Sequence, residues 1–314
     1  MSDLPQNIES VTEALRTKYW SWSIYEGNSA ARRLIPFLID HLPHITPSSW
    51  QERFAFGGVY VNGIEAFGDI DLPTPCKVEY YEPKFELAEA ASIFPAFRDD
   101  YILYRDEHVV AVYKPPGLSS MPAKEQRYFS VKVSVERAIG STVHMPSRLD
   151  VSAQGLIIMS ISERAHSRLQ QAFEHRQVVK EYRCASTAQS NWITQRVELP
   201  IGRDARHPVL RRINFDSGKQ ASTEFISIGG AISENIRVNV FRALPTTGRT
   251  HQIRVHARAA GIPLFGDRFY GGASASYLHL VSYSVKLKHP VTGLQLEIAL
   301  PQRLLPSWIA DQVR

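Results

Sequence analysis

The sequence predicts an α+β protein: a mixed, largely antiparallel sheet flanked by helices and loops, preceded by a small α+β module. Three observations carry this. Short alternating apolar runs bounded by turn residues recur along the chain. Hairpin turns occur at Asn62-Gly63 and from His289 to Gly293. The charge also changes sign near residue 95, with seven Lys/Arg against thirteen Asp/Glu before it and 29 against 18 after it. The expected organisation is an extension at 1–29, a module and linker at 30–95, and a main domain at 96–314.

Residues 1–29 hold an aromatic patch, Tyr19 to Tyr25, without clear periodicity. Leu34, Phe37, Leu38 and Leu42 recur at helical spacing, so a helix is predicted from Ala30 to about Leu42. A second begins near Trp50, with Ser48 or Ser49 as cap. Strands follow at Gly57–Asn62 and Cys76–Tyr81. Beyond the Pro-containing segment 83–98, Tyr101–Tyr104 and Val109–Tyr113 form a hairpin that stops at Lys114-Pro115-Pro116-Gly117. Ser130–Ile139 is a helix closed by Gly140. Arg148-Leu149-Asp150 leads through a polar turn to Gly155 and a buried strand at Leu156–Met159. Ser160 and Glu163 have capping-box spacing, and Ala165, Leu169, Ala172 and Phe173 share one face of the helix behind them.

Val178–Cys184 is strand-like, with Lys180 and Tyr182 facing the same side. Residues 199–221 read as a loop with five Lys/Arg and two Asp between Ile201 and Lys219, a candidate phosphate-contacting surface. A strand at Ile236–Phe241 precedes Gly248-Arg249-Thr250-His251-Gln252-Ile253-Arg254-Val255-His256. That segment fits neither period well. A helix is predicted from near Thr250, with Gly261 as its C-cap. Residues 261–271 are irregular, and Tyr277–Leu287 with Leu294–Leu300 closes the chain as a hairpin.

The net charge of +11 on residues 96–314 points to a polyanionic partner, RNA before membrane, because no long basic amphipathic helix is evident. Two distant cysteines, Cys76 and Cys184, support neither a disulfide framework nor a thiolate zinc site. His251 and His256 are five apart, off the spacing that shares a helical face, and are expected to satisfy backbone or phosphate groups. No metal is expected. Phosphate-loop, dinucleotide and nucleophile-elbow motifs are missing from the sequence, which argues against NTPase, dehydrogenase and α/β-hydrolase readings. A basic n-region before an apolar stretch is lacking at the N-terminus, so the expected location is cytoplasmic, with an organellar stroma or matrix left open.

Five segments in order, Lys114-Pro115-Pro116-Gly117, Arg148-Leu149-Asp150 with Gly155-Leu156, Lys180-Glu181-Tyr182, Gly248 to His256, and Gly266-Asp267-Arg268-Phe269-Tyr270-Gly271, resemble the RluA-type pseudouridine synthases over residues 100–302. The resemblance implies the pseudouridine synthase fold, isomerisation of specific uridines in structured ribosomal or transfer RNA, and no cofactor. Neither DNA nor membrane is expected as a partner, and a monomer is the default. It further implies that Asp150 is the catalytic carboxylate, able either to attack the sugar or uracil ring or to take a ribose proton. Arg254 would be its basic partner, pairing bidentately, and Tyr182 would stack on the target base. Arg148 would enter the space of a flipped nucleotide, and Arg249 and Lys114 would contact phosphates.

The pattern is broken at Ser147, Ala153 and Gln154, where the family carries His, Thr and Ser, so specificity is expected to lie there. The alternative is an RNA-binding protein of the same fold whose altered loop has cost it catalysis; a hydrolase of small nucleotides or sugars fits the basic charge less well. Residues 30–82 also resemble the small alpha-L RNA-binding module. That window holds four Lys/Arg against seven Asp/Glu, however, which is the wrong sign for phosphate binding.

Overall fold

A computed structural model describes residues 19–26, 33–124 and 127–310. The chain opens with β1 (Tyr19–Glu26), α1 (Leu34–His41), α2 (Trp50–Phe56), β2 (Val59–Val61), β3 (Ile64–Glu65) and β4 (Cys76–Pro83). These strands form a four-stranded sheet in the order β1-β4-β2-β3, with Tyr19 paired to Pro83 and Glu26 to Cys76. The aromatic segment that the sequence placed in an extension is therefore an edge strand of this sheet. Asn62, at φ 50°, and Gly63 make the tight turn between β2 and β3. Helix α1 lacks a cap of its own; Asp69 supplies one from 34 residues away, its carboxylate accepting from Ile35 N at 2.8 Å. Ser48 and Ser49 give no side-chain cap to α2, which follows a single 3₁₀ turn at Pro47–Ser49.

After α3 (Ala90–Ile93) the large sheet begins with the hairpin β5 (Ile102–Arg105) and β6 (Val109–Lys114). Helix α4 (Val131–Ile139) starts where the Ser130 hydroxyl accepts from Val133 N and ends at left-handed Gly140. Next come β7 (Gln154–Ser160), α5 (Glu163–Glu174), β8 (Val179–Ser186), β9 (Thr194–Val197), β10 (Ile201–Asp204), β11 (His207–Ile213), β12 (Thr223–Ser233) and β13 (Ile236–Pro245). Helix α6 (Gln252–Ala259), β14 (Leu280–Lys288), β15 (Gln295–Ala299) and α7 (Ser307–Ala310) complete the described chain.

Nine strands make one sheet, ordered β5-β6-β7-β14-β8-β13-β12-β9 with β15 also on β14. The β7–β14 pairing is parallel, and the other strand pairings of this sheet are antiparallel. Alternation along each strand divides the core. Ala111 and Tyr113 of β6, Leu156 and Ile158 of β7, and Val238 and Val240 of β13 pack on one face with Leu169 of α5. Val110, Val112, Ile157 and Met159 pack on the other face against Val131 and Val135 of α4. Cys184, Phe241 and Ala243 face Ile253 and Ala257 of α6 in a further cluster, with Leu149 and Tyr182 at its margin.

Three local expectations are corrected. Ser160 is the last residue of β7 and Ser162 is the N-cap position of α5, so the Ser160–Glu163 capping box does not form; the Ser160 hydroxyl pairs with His166 Nδ1 at 2.8 Å instead. The basic loop at 199–221 contains the β10–β11 hairpin, with Ile201 opposite Ile213 and its apolar side (Ile201, Leu210) packed on Val255 and Tyr270. Helix α6 begins at Gln252, because His251 stands at its N-cap in the left-handed region with φ 57°.

Candidate active site

The turn that carries Asp150 is held from beneath by Lys114. The Lys114 side chain is fully buried, and its Nζ donates to Pro115 O (3.0 Å), Val151 O (3.0 Å) and Ala153 O (2.6 Å). Three acceptors match the three hydrogens of an ammonium group. Burial pushes its pKa down to about 7, against which the Asp150 charge works. The expectation that Lys114 contacts phosphate is thereby overturned, since no part of the side chain reaches solvent. Gly117 N adds a bond to Val151 O at 2.8 Å, and Ser120 Oγ bridges both backbone groups of Leu149, donating to its O (2.7 Å) and accepting from its N (3.1 Å).

Behind the turn, β7 must approach β14 closely. Gly155 has φ 119°, and a Cβ there would lie 2.3 Å from Ser282 O, so only glycine fits. Ser282 Oγ donates to Leu156 O at 3.0 Å, and Ser282 stands opposite Tyr182 of β8 in the β14–β8 register. Burial pushes the Tyr182 hydroxyl up to about 12, eased by Ser282 and reinforced by the Asp150 charge.

The other wall is α6. Its residues Gln252 to Ala257 are all buried, which is why the segment fits no amphipathic period: its polar side chains are buried because each is hydrogen-bonded. Gln252 accepts from Thr247 Oγ1 (2.6 Å) and Arg249 N (3.0 Å) and donates to Ser222 O and Thr223 Oγ1. His256 bonds Thr223 Oγ1 and Leu199 O, satisfying backbone as expected.

Arg254 reaches Asp150 with one hydrogen bond, Nη1 to Oδ2 at 3.1 Å. The bidentate partner is Asp267, which accepts from Nε at 2.8 Å and Nη2 at 2.7 Å and is itself buried. The expected Asp150–Arg254 pair thus exists, but the forked geometry belongs to Asp267, a residue without an assigned role in the sequence reading. Burial opposes the Arg254 charge; Asp267 and then Asp150 outweigh it, and the guanidinium pKa is raised. Phe269 and Tyr270 flank it with ring centroids 4.9 and 5.1 Å away.

Among the described residues the His251 ring bonds no backbone group, meeting the Tyr270 hydroxyl instead. Arg211 N donates to the Tyr270 hydroxyl oxygen at 3.0 Å, and the same hydroxyl is hydrogen-bonded to His251 Nδ1, 2.7 Å away. His251 Nε2 lies 3.9 Å from Asp150 Oδ2. Burial pushes the His251 pKa down to about 4, with Arg254 lowering it further and Asp150 opposing.

Arg254 and His251 both approach Asp150 Oδ2. The second oxygen, Oδ1, has no hydrogen-bond partner among the described residues, and the side chain is 22% exposed. A carboxylate with one oxygen anchored and one open has the form required of a nucleophile or a base. Arg148 is exposed beside it and makes no ion pair or hydrogen bond with described residues. Arg249, half-buried, donates from Nε to Gln220 O at 3.2 Å. Ala153 and Gln154 are buried, and the Gln154 side chain accepts from Tyr113 on the far face of the sheet at 2.8 Å. Those two departures face the core; Ser147 alone of the three is partly open.

Two human structures share this architecture. RNA Pseudouridylate Synthase Domain Containing 1 superposes with a TM-score of 0.56 at 22% identity, covering 66% of this chain and 85% of its own. RNA Pseudouridylate Synthase Domain Containing 4 superposes with 0.52 at 21% identity, covering 72% and 94%. The class is therefore the pseudouridine synthase fold. Residues 108–259 match the family described as RNA pseudouridylate synthase. The dual-specificity RNA pseudouridine synthase RluA of Escherichia coli (strain K12) is 32% identical over 207 residues, 64% of this chain and 92% of the relative. Its Haemophilus influenzae counterpart is 30% identical over 196 residues, 61% and 88%. The chain belongs to the RluA-type family of RNA pseudouridine synthases, enzymes that isomerise uridine in RNA.

Proposed function

We propose that Asp150 is the catalytic carboxylate of this synthase and that its substrates are uridines in structured ribosomal or transfer RNA. The observation that carries the reading is the single open oxygen of Asp150, its partner oxygen fixed by Arg254. The uracil must leave C1′, turn, and rejoin through C5. Attack on the sugar or the ring, and removal of a ribose proton, all start from an unpaired carboxylate oxygen aimed at the nucleotide, and Oδ1 is that oxygen. Tyr182 stacks on the base, and Arg148, unpaired and exposed, enters the space that the flipped nucleotide leaves. Arg249 and the exposed Arg203, Arg206 and Arg212 of the hairpin over Tyr270 contact the flanking phosphates. The bacterial relatives are named dual-specificity enzymes, and action on more than one RNA is extended from them to this chain.

The test is tritium release from C5-labelled uridine in ribosomal and transfer RNA by the wild-type protein and by Asp150→Ala. Release by the wild type alone supports the assignment. Equal release by both removes Asp150 from the chemistry, and no release from either RNA leaves the substrate class wrong.

A further inference from the structure

The acidic N-terminal module makes a set of contacts that RNA binding does not explain. The segment leaving β6 returns at α4, and its neck is closed by Val131 N to Ser119 O (2.8 Å) and Lys132 N to Ser120 O (3.1 Å). Its far end enters the module. Lys124 Nζ lies 3.4 Å from Glu79 and stands 5.1 and 5.3 Å from the rings of Tyr60 and Tyr81. The Arg127 guanidinium covers the Phe67 ring at 4.4 Å and faces Glu65 at 3.7 Å. The backbone N–H groups of Arg127 and Tyr128 both donate to Phe56 O, at 3.0 and 3.4 Å. Gly57, at φ 103°, permits this approach, since a Cβ there would stand 2.9 Å from Arg127 N. Phe129 stacks on Phe94 at 4.8 Å and touches Phe56. Two carboxylates, Glu65 and Glu79, thus face cations of the catalytic domain. The neck of the same segment carries Ser120, whose hydroxyl holds both backbone groups of Leu149, the residue before Asp150.

We propose that the N-terminal module is a clamp on the catalytic turn and not a surface for RNA: it holds Lys124 and Arg127, and through Ser120 it fixes the position of Asp150. Ser120, Lys124 and Arg127 are positioning residues. This rests on the assignment of Asp150 above. The acidic charge of the module, the wrong sign for phosphate, is the right sign for a basic segment of its own chain. Exposed ion pairs are individually weak. The hold comes from their combination with the aromatic contacts and the backbone bonds to Phe56.

The test compares the full-length wild type with Ser120→Ala, with Lys124→Ala/Arg127→Ala, and with the conservative Lys124→Arg. Three quantities are read: kcat for tritium release, the RNA dissociation constant, and hydrogen exchange at the Leu149 amide. The clamp requires kcat to fall about tenfold or more in the first two variants, because small displacements of a reacting group cost orders of magnitude in rate. It also requires RNA affinity within about twofold of wild type, faster Leu149 exchange, and near-normal behaviour of Lys124→Arg. Weakened RNA binding with unchanged kcat and unchanged exchange overturns it and makes the module an RNA surface. Should the wild type itself convert no RNA, the Asp150 assignment fails, and exchange at Leu149 still decides the clamp: faster exchange in the Lys124→Ala/Arg127→Ala protein upholds it, and unchanged exchange ends it.

Discussion

At Asp150 one donor, Arg254, anchors one oxygen and leaves the other open, and Arg254 and the nearby His251 are each held by a residue of the 266–271 segment. Arg254 is held by Asp267. Asp267→Asn leaves a buried guanidinium without its charged partner, so we expect a stability loss of about 3 kcal/mol by urea unfolding, with a fall in kcat. His251 is held by Tyr270. A ring whose pKa is near 4 folded and near its ordinary value of 6.5 unfolded makes the unfolded state bind more protons between those pH values. Stability therefore falls as pH drops through that window, by about 3 kcal/mol at most. His251→Gln should flatten that acid limb in unfolding curves collected from pH 7 to pH 4; an unaltered limb would show that His251 titrates normally. The placement of Arg254 against Asp150 was legible because contiguous motifs name both residues. Asp267 sat in a quoted motif without a role, since nothing in its spacing shows that it meets Arg254. Lys114 was misread because burial is not visible in a Lys-Pro-Pro-Gly turn.

The elements most legible in the sequence were those whose pattern and turn chemistry agree. The β5–β6 hairpin, α4 with its Ser130 and Gly140 ends, and the terminal hairpin all have both signals. Strand β12 went unread: its Gly229-Gly230 pair reads as a turn, and in the fold Gly229 sits at a register shift against β13. The β10–β11 hairpin hid behind its charges, because three exposed cations outweigh a short apolar side. Segment 248–256 defeated periodicity because its helix is buried on several sides, its polar residues by tertiary hydrogen bonds and Ile253, Val255 and Ala257 by apolar packing. One glycine joins strand to chemistry. Gly155→Ala forces a Cβ into the Ser282 backbone at a positive φ, and we expect destabilisation of more than about 3 kcal/mol, together with displacement of Tyr182. Urea unfolding measures the first, and loss of the raised tyrosine pKa in a spectroscopic titration measures the second.

Across the whole molecule the charge division seen in the sequence has a structural counterpart. The basic main domain carries exposed Arg203, Arg206 and Arg212 near the site, while the acidic module faces its own chain. RNA affinity should therefore fall steeply with salt. Replacing one exposed hairpin arginine such as Arg212 by Ala should lower the log–log slope by about one, whereas Glu82→Gln on the module should leave it unchanged. A salt slope that responds equally to both would remove the division of labour. The central claim, that Asp150 performs the chemistry through its open oxygen, meets its most direct measurement in Asp150→Asn, which keeps the shape of the side chain and removes its charge. The variant should fold, bind RNA as the wild type does, and release no tritium from C5-labelled uridine in a single turnover. Release within about tenfold of the wild-type rate would contradict the account.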